Sequence, residues 1–234
     1  MVIDVVNILR FLRSLTANNR REWLDENRIW YEEARTDFES LIQLLLNRIS
    51  LIDSSYLSVT PKDSTFRIYR NLRFSKDKTP FKTHWGAYMN PYGRKSNYFG
   101  FYLHLSAEQS FVGGGSISLP YELLQEIREQ IVERIDEYRA IVENPSFKRY
   151  FPIVGSDFLK TAPKGFSVDY PYIDYLRCKE FTCSYNLSTD SLENTEELLT
   201  LCTHLFEELQ PYAAFINSVV KEWEIRKNRE NDNR

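Results

Sequence analysis

Hydrophobic residues in the N-terminal part of the chain recur every three or four positions, which is the spacing of one face of an α-helix. A polar break at residues 16–19 separates a short series from a longer one that runs from Arg20 to about Ile49. The apolar positions are Val5, Ile8, Leu9, Leu12 and Leu15 in the first series, and Trp23, Trp30, Ala34, Phe38, Leu41 and Leu45 in the second. The pattern predicts two helices, each with one buried face.

After Pro61 the apolar spacing changes to two, which is typical of β-strands with one face in the core. The alternating segments are 66–70, 84–89, 98–105 and 111–115, with a turn-like basic stretch at 75–80. Because side chains alternate across a strand, every second residue lies on the same face, and this places one set of polar and aromatic residues on a shared sheet face. That set is Arg67, Tyr69, His84, Tyr88, Tyr98, Tyr102 and His104.

Helical spacing returns at 121–143, a further strand is predicted at 179–187, and two helices are predicted at 193–209 and 211–227. A central, mostly antiparallel sheet with N-terminal, middle and C-terminal helices packed around it is therefore expected, which is the α+β class. The 234 residues, 42% of them hydrophobic, fit one domain over residues 1–227. The tail 228–234 is expected to be frayed.

The formal net charge of −3 hides an uneven distribution along the chain. Between Pro61 and Lys95 nine basic residues face two acids, a local balance of +7, while the rest of the chain has a balance of −10. The nine are Lys62, Arg67, Arg70, Arg73, Lys76, Lys78, Lys82, Arg94 and Lys95. A basic segment in an acidic protein either pairs with the protein's own acidic helices or attracts an anion from outside.

No apolar run has the roughly 18 residues of a membrane-spanning helix, and the N-terminus lacks the pattern of a secretion signal. Three cysteines without a C-x-x-C pair indicate neither a disulfide framework nor a structural zinc site. These features favour a protein of the reducing cytoplasm that does not associate with membranes.

Several strings of residues resemble the domain-of-unknown-function 2461 (DUF2461) family, in order and over about residues 8–217. They are Asn18 to Trp23, Phe66 to Arg70 continuing through Arg73 to His84, Phe111 to Gly115, and Ala162 to Phe166. The chain departs from the family pattern at Asn71, at Ser116 to Ser118 and at Tyr170. The resemblance implies a place among conserved hypothetical proteins of bacteria and fungi, for which the family supplies no established activity.

The basic, aromatic-rich stretch predicts a site for an anionic, phosphate-bearing ligand. Guanidinium groups bind phosphate through paired hydrogen bonds, lysines add point charge, and histidine titrates near neutral pH. The predicted ligand-binding residues are Arg67, Arg70, Arg73, Lys76, Lys78, Lys82, Tyr98, Tyr102 and Lys164, and the predicted proton-transfer residues are His84 and His104. No metal-binding pattern and no cofactor motif is present in the sequence.

Three interpretations of this stretch remain open from the sequence. The first is binding of an anionic small molecule, with hydrolysis or transfer as the associated reaction. The second is binding of single-stranded nucleic acid, which the isoelectric point of about 5.8 disfavours. The third is a noncatalytic module whose basic surface contacts an acidic partner. In the structural alternative to all three, the basic residues pair with acidic helices and the histidines only pack.

Overall fold

The computed structural model describes residues 3–73 and 75–232, and of residues 231 and 232 it describes the backbone alone. Within the described residues the longer helices are Val5–Ala17 (α1), Arg28–Ile52 (α3), Tyr121–Glu133 (α5), Ile135–Val142 (α6) and Thr195–Asp232 (α10). The shorter helices are Arg21–Glu26 (α2), Pro61–Ser64 (α4), Pro145–Tyr150 (α7), Ile173–Leu176 (α8) and Thr189–Glu193 (α9), and Ser54–Ser58 forms a 3-10 helix.

The strands form one five-stranded antiparallel sheet in the order β1-β2-β3-β5-β4. Their bounds are His84–Met89 (β1), Gly100–Ser106 (β2), Phe111–Ser116 (β3), Ser156–Phe158 (β4) and Cys178–Asn186 (β5). At one edge, β4 pairs with β5 through Ser156 opposite Glu180 and Phe158 opposite Cys178. With helices around this sheet, the predicted α+β class is confirmed.

The described residues group into two compact units. The first unit takes its residues from Met1–Arg94, Tyr102–Val112 and Asn186–Phe206. Its core contains a stack of aromatic rings on Trp85 of β1. Phe11 of α1 lies 5.4 Å from Trp85 at 22°, and Phe38 of α3 lies 5.8 Å away at 14°. The helical spacing of the N-terminal segment therefore predicts most of the buried residues, but Leu9 and Trp30 are only partly buried.

The second unit takes its residues from Lys95–Phe101, Gly113–Tyr185 and Glu207–Arg234. Its core is centred on Tyr212, whose ring lies 5.5 Å from Phe99 and 5.9 Å from Phe147. The same unit buries one arginine, Arg128, whose guanidinium donates to the backbone oxygens of Leu176 at 2.8 Å and Cys178 at 2.9 Å. Folding of residues 1–227 as a single domain stays a prediction, as does fraying of the tail, whose last two residues lie outside those described.

The two predicted C-terminal helices form one helix, because α10 continues through Pro211. A proline inside a helix removes one backbone hydrogen bond and costs about 3 kcal/mol. On either side of it the helix buries Leu209, Tyr212 and Ile216, and burying a large apolar side chain contributes about 1.5–3 kcal/mol. Packing of the continuous apolar face therefore outweighs the break that proline favours.

The predicted strand at 66–70 is an extended segment with two isolated bridges, Thr65 to Ala87 and Tyr69 to Phe81. The bridges are out of register with each other, because the segment from Phe81 to Ala87 holds two more residues than the segment from Thr65 to Tyr69. The alternating pattern predicted the extended backbone of residues 66–70. It could not predict the irregular pairing, because the pattern of alternation within one segment does not show how that segment pairs with another.

Candidate functional site

Two basic side chains of the first unit lie over the ring of Phe66, and a third lies near one of them; we call Arg67, Lys82 and Arg94 the basic cluster. The Lys82 Nζ lies 5.5 Å from the centre of the Phe66 ring, and the Arg94 guanidinium carbon lies 5.3 Å from it. Arg67 is exposed and close enough to Lys82 to act on its charge. A ring face attracts cations, so Phe66 contacts two of the three charges.

The backbone around the cluster is fixed by specific hydrogen bonds. The Lys82 N–H donates to the Ile68 carbonyl at 2.7 Å, and a guanidinium nitrogen of Arg94 donates to the Thr65 carbonyl at 2.6 Å. Asn19 binds both backbone groups of Phe81: its Nδ2 donates to the carbonyl at 2.9 Å, and its Oδ1 accepts from the N–H at 3.1 Å. The Asn19 side chain thus forms the two hydrogen bonds to Phe81 that a neighbouring strand would otherwise form, directly before Lys82.

The positive charge of the basic cluster is not neutralised by carboxylates within the described residues, where none forms an ion pair with Arg67, Lys82 or Arg94. Partial burial, and then the charge of Arg67, lower the pKa of the Lys82 ammonium. A nearby negative charge would have the opposite effect on that pKa. The cluster therefore carries positive charge that no carboxylate of the described residues compensates.

His84 and His104 form a stacked pair next to the cluster. Their ring centres are 4.4 Å apart, with 27° between the planes. The His104 ring also stacks on Phe111 at 4.7 Å and 14°, so that β1, β2 and β3 each contribute one ring. The structure thus brings together the two histidines that strand alternation places on one face, and it adds Phe111, which the sequence did not single out as a site residue.

Tyr102 completes the aromatic group on β2. Its hydroxyl lies 3.2 Å from Nδ1 of His104, where the tautomer of the imidazole decides which group donates. Partial burial raises the pKa of this phenol. The hydroxyl lies over the backbone of Gly86 in β1, and a Cβ at that position would overlap it. Gly86 is therefore required for the Tyr102 side chain to reach His104.

Both imidazoles of the pair favour the neutral form. Partial burial lowers the pKa of His84, and the charge of Lys82 lowers it further. The pKa of His104 falls to about 4, because burial disfavours its charged form and His84 repels it. Both imidazoles therefore stay neutral at neutral pH, and the lowered pKa of His104 makes it a weak proton acceptor.

The loop between residues 70 and 80 neutralises one predicted ligand-binding residue internally. The Arg70 guanidinium forms an ion pair with Asp77 and hydrogen bonds with the hydroxyls of Thr79 and Ser75. This contact, followed by the Thr79 hydrogen bonds, lowers the pKa of the Asp77 carboxyl to about 2. In this structure Arg70 stabilises the loop through these contacts. Its role in ligand binding stays a prediction.

The other predicted basic residues of the loop lie at its surface. Arg73, Lys76 and Lys78 are exposed. The Lys78 ammonium donates to the Leu72 carbonyl at 3.3 Å, and the backbone N–H of Arg73 donates to the Asn71 side chain at 3.2 Å. The predicted contact of Arg73 with the ligand's charge, and the predicted closure of Lys76 and Lys78 over the ligand, stay predictions.

Two predicted ligand-binding residues, Tyr98 and Lys164, belong to the second unit, whereas the basic cluster and the histidine pair belong to the first. Tyr98 is buried directly before β2. Lys164 is exposed in a turn, and its carbonyl accepts a hydrogen bond from Gln125 at 2.9 Å. Their contribution to ligand binding stays a prediction.

The site residues that sequence reasoning missed are Phe66, Gly86, Arg94 and Phe111. Arg94 was visible as one of nine positive charges, but its position on Phe66 requires a chain reversal that the sequence does not specify. Phe66 occupies an apolar position of an alternating segment, which does not distinguish it from a core residue. A glycine inside a strand is a general signal of close approach, and Gly86 is such a case.

Other reactive groups of the described residues do not gather into a second centre of this kind. No group of three or more His, Cys, Asp or Glu side chains is placed to hold a metal ion in residues 3–73 and 75–232. The three cysteines are buried, and burial raises the pKa of Cys178 and Cys202 to about 12 and that of Cys183 further. Thiols held in the protonated form are poor nucleophiles.

The class that the structure defines is an α+β fold with one five-stranded antiparallel sheet. The chain belongs to the family described as conserved hypothetical protein (DUF2461), whose model matches residues 7–215. The family resemblance of the sequence is thereby confirmed. No curated protein and no solved structure matches the chain. The helices in the described part of the chain include none with the length and apolar character that a membrane crossing requires.

Proposed function

We propose that this protein binds a small anionic, phosphate-bearing ligand at the basic cluster of Arg67, Lys82 and Arg94. The observation that supports the proposal most strongly is the charge of the cluster: Lys82 and Arg94 lie over Phe66, Arg67 lies near Lys82, and no carboxylate of the described residues pairs with them. Holding like charges together is unfavourable unless an anion compensates them. A bound anion is the simplest source of that compensation.

The chemistry of the three side chains fits a phosphate group. A guanidinium presents hydrogen-bond donors in a fork that matches two phosphate oxygens, and an ammonium adds a compact charge. Arg67 is exposed, so its hydrogen-bond donors are open to solvent, whereas Lys82 is half-buried and therefore partly desolvated. Charge-assisted hydrogen bonds to a desolvated site are stronger than those formed in water.

The stacked histidines define the enzymatic form of this proposal, which is a hydrolase or a transferase acting on the bound ligand. His84 is close enough to Lys82 for the ammonium to lower the imidazole pKa, so a ligand on Lys82 lies near a neutral proton acceptor. General bases of this type contribute roughly 10²–10⁴-fold to a rate. The cytoplasm is the proposed location, and an anionic small molecule is the proposed partner.

Phosphate binding by purified protein tests the proposal. Isothermal titration with inorganic phosphate should give measurable heat that weakens as the ionic strength rises. Lys82→Met keeps an apolar chain against Phe66 but removes the charge, and it should weaken binding about tenfold or more, since a charge-assisted hydrogen bond contributes about 1.5–3 kcal/mol. Arg67→Met should have a similar effect.

Lys160→Met is the matched control, because Lys160 is an exposed lysine of the second unit and its loss should leave phosphate binding unchanged. Equal phosphate binding by wild type and Lys82→Met would refute the proposed site. Binding of single-stranded oligothymidylate with a steep salt dependence, without binding of phosphate, would instead support the nucleic-acid interpretation.

A further inference from the structure

We propose that the ε-amino group of Lys82 forms an imine with a small aldehyde or ketone that bears a carboxylate or phosphate group. The inference rests on the proposed function, because the cations that bind an anion would also position the carbonyl carbon of such a compound. It adds a covalent step and a substrate class to that binding site.

The surroundings of Lys82 are those of a nucleophilic amine. Lys82 is half-buried and Arg67 is close by, and both features favour the neutral amine, whereas the Phe66 ring, 5.5 Å from Nζ, favours the ammonium form. Within the described residues no carboxylate pairs with it to hold the ammonium form. Desolvation and a neighbouring cation are the two means by which proteins convert a lysine into a nucleophile. Both lower the pKa of the Lys82 ammonium.

His84 supplies the proton acceptor that imine formation requires. It follows Lys82 by two positions in the segment that leads into β1, and the two side chains are close enough for the Lys82 charge to act on the imidazole. His84 in turn stacks on His104 at 4.4 Å, which fixes the plane of its ring. An imidazole that is neutral at physiological pH can take a proton from one intermediate and return it to the next.

The step is balanced without an oxidant or a reductant. The lone pair of the neutral Lys82 amine attacks the carbonyl carbon and forms the C–N bond, while the electron pair of the C=O π bond moves to oxygen. His84 takes a proton from nitrogen and returns it to the oxygen, which gives a carbinolamine. A second proton, from solvent, on the carbinolamine hydroxyl releases water, and the nitrogen lone pair forms the C=N bond of the protonated imine, which gives a proton back to solvent to become the imine.

The substrate class follows from the two groups that flank the amine. Arg67 and Arg94 would bind the anionic group, and the carbonyl carbon must then lie within reach of Nζ. A compound with its carbonyl group one or two bonds from the anion satisfies both contacts. Glyoxylate carries an aldehyde next to a carboxylate, whereas propanal is a neutral aldehyde of similar size. The two compounds are therefore a matched pair of probes.

Reductive trapping tests the inference on the full-length protein. The protein is incubated near neutral pH with sodium cyanoborohydride and either glyoxylate or propanal, and the labelled lysines are mapped by mass spectrometry over time. We expect glyoxylate to label Lys82 about tenfold faster than the exposed Lys62 and Lys95, which corresponds to about 1.4 kcal/mol in the barrier. Propanal should discriminate less between these lysines.

Three variants assign the parts of the site. Lys82→Arg should remove the fast label and leave the slow ones. Arg94→Met should slow glyoxylate labelling of Lys82 more than propanal labelling, because it removes only the contact to the anion. His84→Gln should slow both, and circular dichroism checks that each variant is folded. Inorganic phosphate should protect Lys82 from glyoxylate.

The outcomes separate this inference from the proposed function. Labelling of Lys82 no faster than Lys62 and Lys95, in a protein that binds phosphate by titration, overturns the imine and leaves anion binding standing. Fast labelling of Lys82 by glyoxylate and propanal alike, without protection by phosphate, overturns the anionic substrate class together with the proposed function. Fast, phosphate-sensitive labelling by glyoxylate alone supports both.

Discussion

The imidazole rings of His84 and His104 stack with their centres 4.4 Å apart, and protonation of both rings would destabilise this contact. Two imidazolium ions at that distance would repel each other in a partly buried site. Burial lowers the pKa of both rings; the charge of Lys82 lowers that of His84 further, and His84 adds to the fall of the His104 pKa to about 4. The pair therefore links proton uptake on the sheet to the stability of the fold.

The first prediction concerns acid stability. Because the folded-state pKa values lie below the ordinary histidine value of about 6.5, the unfolded chain takes up protons first as the pH falls. The stabilising contribution of neutral His104 is complete above about pH 6.5 and is lost progressively toward about pH 4. It amounts to about 2 kcal/mol after allowance for partial exposure.

Urea denaturation of wild type and His104→Phe at neutral pH and near pH 4.5 measures this contribution. Phenylalanine keeps a stacking ring but does not titrate. Wild type should lose about 2 kcal/mol more than the variant between the two pH values. The Arg70–Asp77 pair stays ionised over this window, since the pKa of Asp77 is about 2, so it does not distort the comparison. Equal losses in both proteins would contradict the prediction.

The second prediction concerns Gly86. Gly86→Ala places a methyl group where the Tyr102 hydroxyl lies, and overpacking of this kind costs about 1–3 kcal/mol. Tyr102→Phe removes the overlapping oxygen, so the double variant should recover part of the stability lost by Gly86→Ala. A double-mutant cycle in chemical denaturation measures the coupling. Additive effects of the two substitutions would show that the contact is not made.

The third prediction concerns Asn19, whose side chain binds both backbone groups of Phe81. Asn19→Ala leaves a backbone N–H and a carbonyl unpaired in a partly buried place, which should cost about 2 kcal/mol. Because Phe81 precedes Lys82, phosphate binding should weaken as well. Asn18→Ala is the control: its side chain donates to the Ser14 carbonyl at the end of α1, so its loss should leave phosphate binding unchanged. Equal phosphate affinities for Asn19→Ala and wild type would separate Asn19 from the site.

The fourth prediction concerns the loop that Arg70 and Asp77 hold together. Asp77→Asn weakens the ion pair, and Arg70→Gln removes it from the other side, so both should raise the rate of trypsin cleavage after Lys76 and Lys78 by a similar factor. The double variant should be cleaved no faster than either single variant. If Arg70 only braces the loop, phosphate affinity should change less in Arg70→Gln than in Lys82→Met. The reverse order would make Arg70 a direct ligand.

Periodicity was sufficient to predict the α+β class and most elements, because helices and strands that bury one face must repeat their apolar residues at 3.6 or 2 positions. It placed His84 and His104 on one face by parity, and the structure stacks them. It failed at Pro211, where packing of the flanking apolar residues outweighs a local preference. Helix propensity is a weak prior wherever burial is extensive.

The composition of the site was harder to predict than its location. Charge balance pointed to residues 61–95, and the basic cluster lies there. Loop geometry decides which cations have a carboxylate partner. Asp77 forms an ion pair with Arg70. Lys82 and Arg94 each contact the Phe66 ring, and no carboxylate of the described residues pairs with them. Such contacts join positions that no periodicity relates, so they become visible only in three dimensions.

The charge state of Lys82 gives the most direct test of the account. Heteronuclear NMR of selectively labelled lysine can follow the titration of its ε-amino group with and without inorganic phosphate. The account predicts a pKa below the ordinary lysine value in free protein and a clear rise when phosphate is added, since a bound anion stabilises the ammonium form. A Lys82 titration curve that phosphate leaves unchanged would contradict anion binding at the basic cluster.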